Sequence, residues 1–184
     1  VSDGAGGHAT GWLGARFAVR AVLGEPTCVV GAADVIPDEW GWAGAMQSRA
    51  AGEQIYTSCV AELGDVPADL VARFTAIDRV LAVVPERARI SGTMVGCTAL
   101  RFHGARITGA HVGRGRARVL RAGAAQLEEL VVPHYLHTLG DRVPGLAGLD
   151  PATLPRDVLC NGLGALASGG IGIDGFETVL EPDD

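Results

Sequence analysis

The sequence contains no lysine, so all 15 of its basic residues are arginines, and 21 acidic residues outnumber them. The net charge is −6 and the isoelectric point is about 5.3. A protein that binds nucleic acid needs clustered basic side chains to neutralise phosphates. The composition therefore argues against nucleic acid as a partner, and we attribute the arginine bias to a GC-rich coding sequence.

Long hydrophobic runs are also missing. No stretch approaches the roughly 20 consecutive apolar residues that span a bilayer, and Val1 to Gly7 contain neither the basic nor the apolar part of a secretory signal. We therefore expect a soluble protein without a membrane partner, located in the cytoplasm. The chain opens without Met and closes on Glu181 to Asp184, so we expect that both ends are cut and that the domain is incomplete.

The sequence also lacks closely spaced cysteine pairs. Its four cysteines are far apart along the chain and form no Cys-x-x-Cys motif: Cys28, Cys59, Cys97 and Cys160. This spacing argues against a zinc knuckle and against a compact disulfide framework. Each cysteine is expected to be a small buried apolar residue.

What the chain does have is enough apolar material for one core. Hydrophobic residues make up 48% of the 184 positions and the mean hydropathy is +0.25, which predicts a single globular domain over residues 1–184. Apolar residues at three- and four-residue spacing predict helices at Ala9–Gly24, Met46–Leu63 and Pro67–Val84, the last ended by Pro85. Residues 27–45 show no clear period and are interpreted as a loop or a possible insertion.

After Gly92 the apolar period changes from helical to two. Four short runs separated by turns predict an antiparallel meander: Thr93–Phe102, Arg106–Val112, Arg116–Arg121 and Gln126–Val131. A loop from Gly140 to Pro155, a short helix at Arg156–Ala167 and a strand at Phe176–Leu180 are predicted to follow. Helices segregated from an antiparallel sheet indicate the α+β class, with helices packed on a sheet face.

The glycine-rich opening is the motif most closely tied to chemistry. It reads Asp3-Gly4-Ala5-Gly6-Gly7-His8 and precedes an amphipathic helix. Three interpretations remain open from these residues alone: a phosphate cradle at a helix N-terminus, a structural glycine turn, or a hard-cation site. The third rests on the carboxylate and carbonyl oxygens that Mg²⁺ and Mn²⁺ accept as ligands.

The order of motifs along the chain carries a family resemblance. The Asp3-Gly4 loop is followed by helices, by Gly92-Thr93 at a strand start, by Ala110-His111-Val112-Gly113 with Arg116, and by Pro133-His134-Tyr135. The segment from Arg156 to Gly164 also fits a helix that precedes a late metal motif. This succession resembles the PPM, or protein phosphatase 2C-like, family of metal-dependent protein serine/threonine phosphatases, over nearly the whole chain.

The resemblance implies a function and a fold. Asp3 would bridge two Mg²⁺ or Mn²⁺ ions, and the Gly4 carbonyl would be a ligand to one of them. A water held between the ions would attack phosphoserine or phosphothreonine of a phosphorylated protein without a covalent enzyme intermediate. The implied architecture is an antiparallel β-sandwich flanked by helices, in α-β-β-α layers, incomplete at both ends.

The sequence departs from the family pattern in ways that bear on activity. The upstream Glu-Asp strand and the downstream Ser-Asp-Gly and Asp-Asn motifs would lie outside the 184 residues, so only Asp3 and Gly4 remain of the metal ligands. We expect weak metal binding and no turnover by this chain alone. Arg114 replaces an acidic residue of the family's Gly-Asp-Ser-Arg turn, and Ala5 stands where many members have a general-acid His. No catalytic residue is therefore assigned.

Other functions remain open. A pseudophosphatase or regulatory binding module would keep the sandwich without catalysis, whereas a nucleotide-binding α/β domain would require parallel strands.

Arg114 is expected to be an exposed turn residue, with contact to a substrate phosphate as the alternative. We expect His111 to be a hydrogen-bonded core residue. His134 and His137 would form a metal pair only if a third ligand joined them.

Overall fold

The computed structural model describes residues 2–5, 9–23, 68–88, 94–143, 145–165 and 171–184. The main elements, in chain order, are β1 (Ser2–Ala5), α1 (Ala9–Leu23), α2 (Leu70–Ala88), β2 (Met94–His103), β3 (Arg106–Val112), β4 (Arg118–Leu120), β5 (Leu127–Glu129), α3 (Leu136–Leu139) and β6 (Asp174–Val179). This mixture of helices and antiparallel sheets confirms the predicted α+β class. The possible insertion at 27–45 and the helix predicted at Met46–Leu63 lie outside the described residues.

Helix α1 agrees with the helix predicted at Ala9–Gly24 to within one residue. Its apolar stripe faces the core, where Phe17, Ala18 and Ala21 are all buried. Phe17 and Ala18 lie four and three positions before Ala21, so all three lie on one side of the helix. Burial of this stripe, rather than helix propensity alone, holds α1 on the sheet.

Helix α2 begins and ends later than predicted. Asp69 caps its start, because the carboxylate Oδ1 accepts a hydrogen bond of 2.8 Å from the backbone N–H of Ala72. The helix also continues through Pro85 to Ala88, so the prediction that Pro85 ends it is wrong. Proline removes one backbone hydrogen bond and disfavours a helix interior, and no local contact among the described residues explains why the helix continues past it.

The main sheet has the strand order β1-β2-β3-β6, and every neighbouring pair is antiparallel. One face contributes Cys97, Ala99, Ala110 and Val112 to the core shared with α1 and α2. Because side chains alternate along a strand, Thr98, His111 and Asp174 lie next to one another on the opposite face, where the register aligns them. The antiparallel pairing after Gly92 rules out the parallel sheet that a nucleotide-binding α/β domain requires.

The second sheet is the hairpin of β4 and β5. Its turn contains Gly123, whose positive φ of 71° suits a tight connection. The predicted meander is therefore right in its two local hairpins and wrong in its continuity, because β3 pairs with β6 and not with β4. The hairpin is tied to the end of the main sheet by Arg121, which donates to the carbonyl of Val179 and to the hydroxyl of Thr178.

The segment after β5 is mostly irregular. The helix predicted at Arg156–Ala167 is wrong over its described part, residues 156–165, which contain no helix. Isolated β-bridges take its place, pairing Leu159 with Tyr135 and Leu163 with Val95. The Leu163–Val95 bridge has hydrogen bonds in both directions, at 2.8 and 3.0 Å. These long-range bonds use backbone groups that a helix would have paired locally.

No helix in the described ranges is both long and apolar enough to cross a membrane.

Candidate functional site

The Asp3-Gly4 motif lies in strand β1, at the edge of the four-stranded sheet as described. Asp3 is directly opposite Gly96 of β2, and Gly4 is opposite Val95. Strand β1 ends at Ala5 and α1 begins at Ala9, so the motif is carried on a strand that leads into a helix. The side chains of β1, and Gly6, Gly7 and His8, lie outside what the structure describes.

The described side chains do not by themselves form a metal site. Among them there is no group of three or more His, Cys, Asp or Glu residues placed to hold an ion. Ions such as Mg²⁺ need several oxygen ligands at fixed distances. A two-metal centre therefore does not follow from the described residues, and the role predicted for Asp3 and Gly4 stays a prediction.

A tight turn after β3 contacts β2 next to Asp3. Gly113 has a φ of +95°, and a Cβ atom added to it would lie 2.5 Å from the Cα of Gly96. Both features require glycine at this position. Arg114 is exposed, as predicted, and Arg116 donates to the carboxylate of Glu129 at 2.9 Å.

A buried polar cluster centred on His134 lies behind this turn. His134 is fully buried, and its Nε2 is 3.1 Å from Oδ2 of Asp174. Arg142 donates two hydrogen bonds to the same carboxylate, at 2.8 and 3.1 Å. On the other side of the ring, Nδ1 receives hydrogen bonds from the Asn161 amide at 2.9 Å and from the Gly113 backbone N–H at 3.2 Å.

The partners of His134 determine where its proton lies. The Gly113 N–H can only donate. The Asn161 Nδ2 group also donates to the carbonyl of Gly172 at 2.6 Å, and a carbonyl can only accept, which identifies this atom as the amide nitrogen. Nδ1 of His134 is therefore an acceptor without a proton. The proton of the neutral ring is on Nε2, where it is donated to Asp174.

His111 lies beside His134 on the sheet. Its Nδ1 is hydrogen-bonded to the Thr98 hydroxyl at 2.8 Å, and the two imidazole rings meet edge to face with centroids 4.7 Å apart. Burial, followed by repulsion from the neighbouring His134, lowers the pKa of His111 to about 4. His111 is therefore a neutral, hydrogen-bonded core residue at physiological pH, as predicted.

The electrostatics of His134 and Asp174 combine opposing effects. Burial lowers the pKa of His134 and outweighs the Asp174 carboxylate, which acts to raise it. For Asp174, burial acts to raise the pKa, but the hydrogen bonds from Arg142 and His134 prevail and the pKa is lowered. At neutral pH the cluster thus consists of a neutral imidazole, a carboxylate and a guanidinium.

Sequence reasoning identified only part of this cluster. His134 is hydrogen-bonded to Asp174, whereas the ring of His137 stacks on the ring of Tyr135, with centroids 5.7 Å apart. The two histidines therefore do not form the metal pair that was considered. Asp174, Arg142 and Asn161 were not predicted. They lie far apart along the chain with no short motif between them, and only the pairing of β3 with β6 brings Asp174 to the ring.

Of the two described cysteines, Cys97 is buried, as predicted, whereas Cys160 is only half-buried, and neither forms a disulfide. Burial raises the pKa of the Cys160 thiol, which disfavours the reactive thiolate. Cys28 and Cys59 lie outside the described residues.

Comparison of the sequence with models of known protein families and with curated proteins finds no match.

Proposed function

We propose that this chain is part of a PPM-type protein serine/threonine phosphatase domain that hydrolyses phosphoserine and phosphothreonine in proteins with Mg²⁺ or Mn²⁺. The observation that supports this best is the position of the Asp3-Gly4 motif on β1. This strand pairs antiparallel with β2 and leads into α1 after three residues. The Asp3 carboxylate and the Gly4 carbonyl are oxygen ligands of the kind hard cations accept.

The layering of the described elements also supports the proposal. Helices α1 and α2 cover one face of the main sheet, while on the other face Leu100 and Phe102 are 44% and 61% exposed. That face also carries the polar Thr98, His111 and Asp174, but its exposed apolar side chains would gain stability by packing against another sheet. The proposal therefore includes a β-sandwich with helices outside it, in which the described helices form one outer layer.

The proposal locates the domain in the cytoplasm. Neither Cys97 nor Cys160 forms a disulfide, as is usual in proteins of reducing compartments. The partner is a phosphorylated protein, and the acidic composition disfavours nucleic acid.

The test is manganese-dependent hydrolysis of an aryl phosphate and of a phosphoserine peptide by the full gene product. Asp3→Ala should lower kcat/KM by about 100-fold or more, since a metal ion contributes several kcal/mol to the transition state. Asp183→Ala removes the same charge from an exposed position and should leave the rate unchanged. Equal rates for wild type and Asp3→Ala would refute the metal role of Asp3.

A pseudophosphatase or regulatory binding module is the second candidate. It is favoured by Arg114, which is exposed on the turn where the family has an acidic residue. A cationic side chain there disfavours an accessory metal ion by repulsion. This candidate predicts that the full gene product binds a phosphoprotein but does not hydrolyse it, with or without Mn²⁺.

A further inference from the structure

The side chain of Asn161 is fully buried, and its two amide atoms have very different surroundings. The nitrogen Nδ2 donates twice, to Nδ1 of His134 at 2.9 Å and to the carbonyl of Gly172 at 2.6 Å. The oxygen Oδ1 has no hydrogen-bond partner among the described residues. Such a buried acceptor has lost its hydration without gaining a partner. Asn161 thus holds an unused acceptor within one bond rotation of a titratable ring.

The backbone on both sides of Asn161 is attached to other segments. Isolated β-bridges pair Leu159 and Leu163 with residues far along the chain, and the Cys160 N–H donates to the His134 carbonyl at 3.0 Å. A response of Asn161 to His134 is therefore expected in the side chain alone. A half-turn about the terminal torsion of asparagine exchanges the positions of the amide oxygen and nitrogen.

We propose that Asn161 transmits the protonation of His134 to the chain that enters β6. When Nδ1 of His134 takes up a proton, the Asn161 amide turns over, its oxygen accepts from the new N–H, and the Gly172 carbonyl loses its donor. These three residues therefore form an acid-sensitive latch on the residues that precede β6. No metal ion and no phosphatase activity is needed for this step.

The hydrogen bonds of the neutral ring are incompatible with those of the protonated ring. Neutral His134 accepts at Nδ1 from Asn161 and from the Gly113 N–H. A proton turns Nδ1 into a donor, which cannot pair with either of these donors. Of the two groups, only the Asn161 amide also carries an acceptor that can be turned toward the ring, because a backbone N–H can only donate.

The turned amide is unfavourable for Gly172. The oxygen would lie near the present position of Nδ2, which is 2.6 Å from the Gly172 carbonyl, and two acceptors at that distance repel each other. Asp174 stays attached, because its carboxylate accepts from the ring Nε2 in both protonation states and also from Arg142. The release is therefore confined to the chain that precedes Asp174.

The charged and titratable groups around His134 determine the pH at which the latch opens. The Asp174 carboxylate favours the protonated ring, whereas Arg142 opposes it. The ring of His111, at a centroid distance of 4.7 Å, stays neutral in mild acid because burial lowers its pKa to about 4. The Cys160 thiol donates to the His134 carbonyl, and burial raises the pKa of this thiol. Burial lowers the pKa of His134 despite Asp174, so opening is expected below the ordinary imidazole value of about 6.5.

The first test follows the wild-type full gene product by NMR from pH 7.5 to 4.5. The ring protons of His134 give the midpoint of protonation, and the side-chain NH₂ resonances of Asn161 should change with it. The amide nitrogen of Ile173 shares a peptide group with the Gly172 carbonyl, so it should shift with the same midpoint. The amide of Ala124, bonded to a carbonyl in the β4–β5 turn, is the control and should not follow the ring.

Two outcomes of this titration would overturn the latch. One is an Ile173 amide that stays unchanged while the His134 ring titrates, since Gly172 would then keep its donor. The other is unfolding before the ring titrates, because the folded protein would then have no protonated state.

Two substitutions of similar size separate the roles of the amide oxygen and nitrogen. Asn161→Asp can only accept when it is ionised, and an opposite charge beside the ring should raise the His134 midpoint by about one pH unit or more. Asn161→Leu has neither donor nor acceptor and should not produce a rise of that size. In both variants the Gly172 carbonyl lacks the Asn161 donor at every pH, so the Ile173 amide should no longer follow the ring.

The variants also have results that would contradict the proposal. An Ile173 amide that still follows His134 in Asn161→Leu would show that the coupling bypasses Asn161. Equal His134 midpoints in Asn161→Asp and Asn161→Leu would show that an acceptor at this position does not reach the ring. If a variant does not fold, the wild-type titration decides by itself.

Discussion

Gly113 is restricted twice, by its backbone angle and by its neighbour. Its φ is +95°, and a Cβ would meet the Cα of Gly96 at 2.5 Å. Gly123 provides a natural comparison, because its φ is +71° but a Cβ there would have no atom within 4 Å. The two glycines share the conformational restriction and differ in the close contact, which allows the two effects to be separated.

Gly113→Ala should lower the free energy of unfolding by about 3 kcal/mol, from backbone strain and from a clash that only a shift of β2 relieves. Gly123→Ala should cost about 1 kcal/mol, from strain alone. Urea unfolding followed by circular dichroism measures both. Equal losses in the two variants would show that the contact between Gly113 and Gly96 contributes nothing.

At the scale of single elements, the start of α2 depends on its cap. The Asp69 carboxylate satisfies the N–H of Ala72, and the Asp69 carbonyl accepts from Arg73 at 3.0 Å. The first N–H groups of a helix have no partner within the helix. A side chain that accepts one of them therefore stabilises α2, whose Phe74 and Ile77 are fully buried in the core.

Asp69→Ala should lower the free energy of unfolding by about 1 kcal/mol, whereas Asp69→Ser should retain most of it because serine also caps helices well. The measurement is the midpoint of urea unfolding for the three proteins. A loss of the same size in Asp69→Ser would mean that the charge of Asp69, rather than its cap, is responsible.

Elements with a local signal were predictable from the sequence. The stripe of Phe17 and Ala21 gave α1, and the two-residue period around the His103-Gly104-Ala105 turn gave the β2–β3 hairpin. The helix predicted at Arg156–Ala167 failed because its backbone bonds go to residues such as Val95, far along the chain. Helix propensity reflects only the local sequence, so it does not account for hydrogen bonds to residues far along the chain. The cluster around His134 was missed for the same reason, since Asp174 reaches it only through the β3–β6 pairing.

On the scale of the whole molecule, the buried histidines make stability depend on pH. The pKa of His111 is lowered to about 4 by burial and by His134, so the unfolded chain binds a proton at this residue more readily than the folded chain does. Stability is therefore greatest above the unfolded pKa of about 6.5 and decreases as the pH falls toward 4. The lowered pKa values of His134 and Asp174 act in the same direction.

We expect the free energy of unfolding to fall by about 3 kcal/mol between pH 7 and pH 4 from His111 alone. Urea unfolding at half-unit pH steps measures this slope. His111→Gln should flatten it, whereas His103→Gln, at an exposed position, should leave it unchanged. An identical slope in wild type and His111→Gln would contradict the assignment to His111.

Strand β1 has a consequence for the order of folding. Within the described part of the chain, four residue pairs join it to β2, across about 90 residues of intervening chain. Closing so long a loop costs entropy before the contact is gained, and long-range strand pairing is slow. Strand β1 is therefore expected to dock last and to open first. In amide hydrogen exchange, Asp3 and Gly4 should lose protection well before the β2–β3 hairpin does, and any cation bound at Asp3 would raise the barrier to that opening.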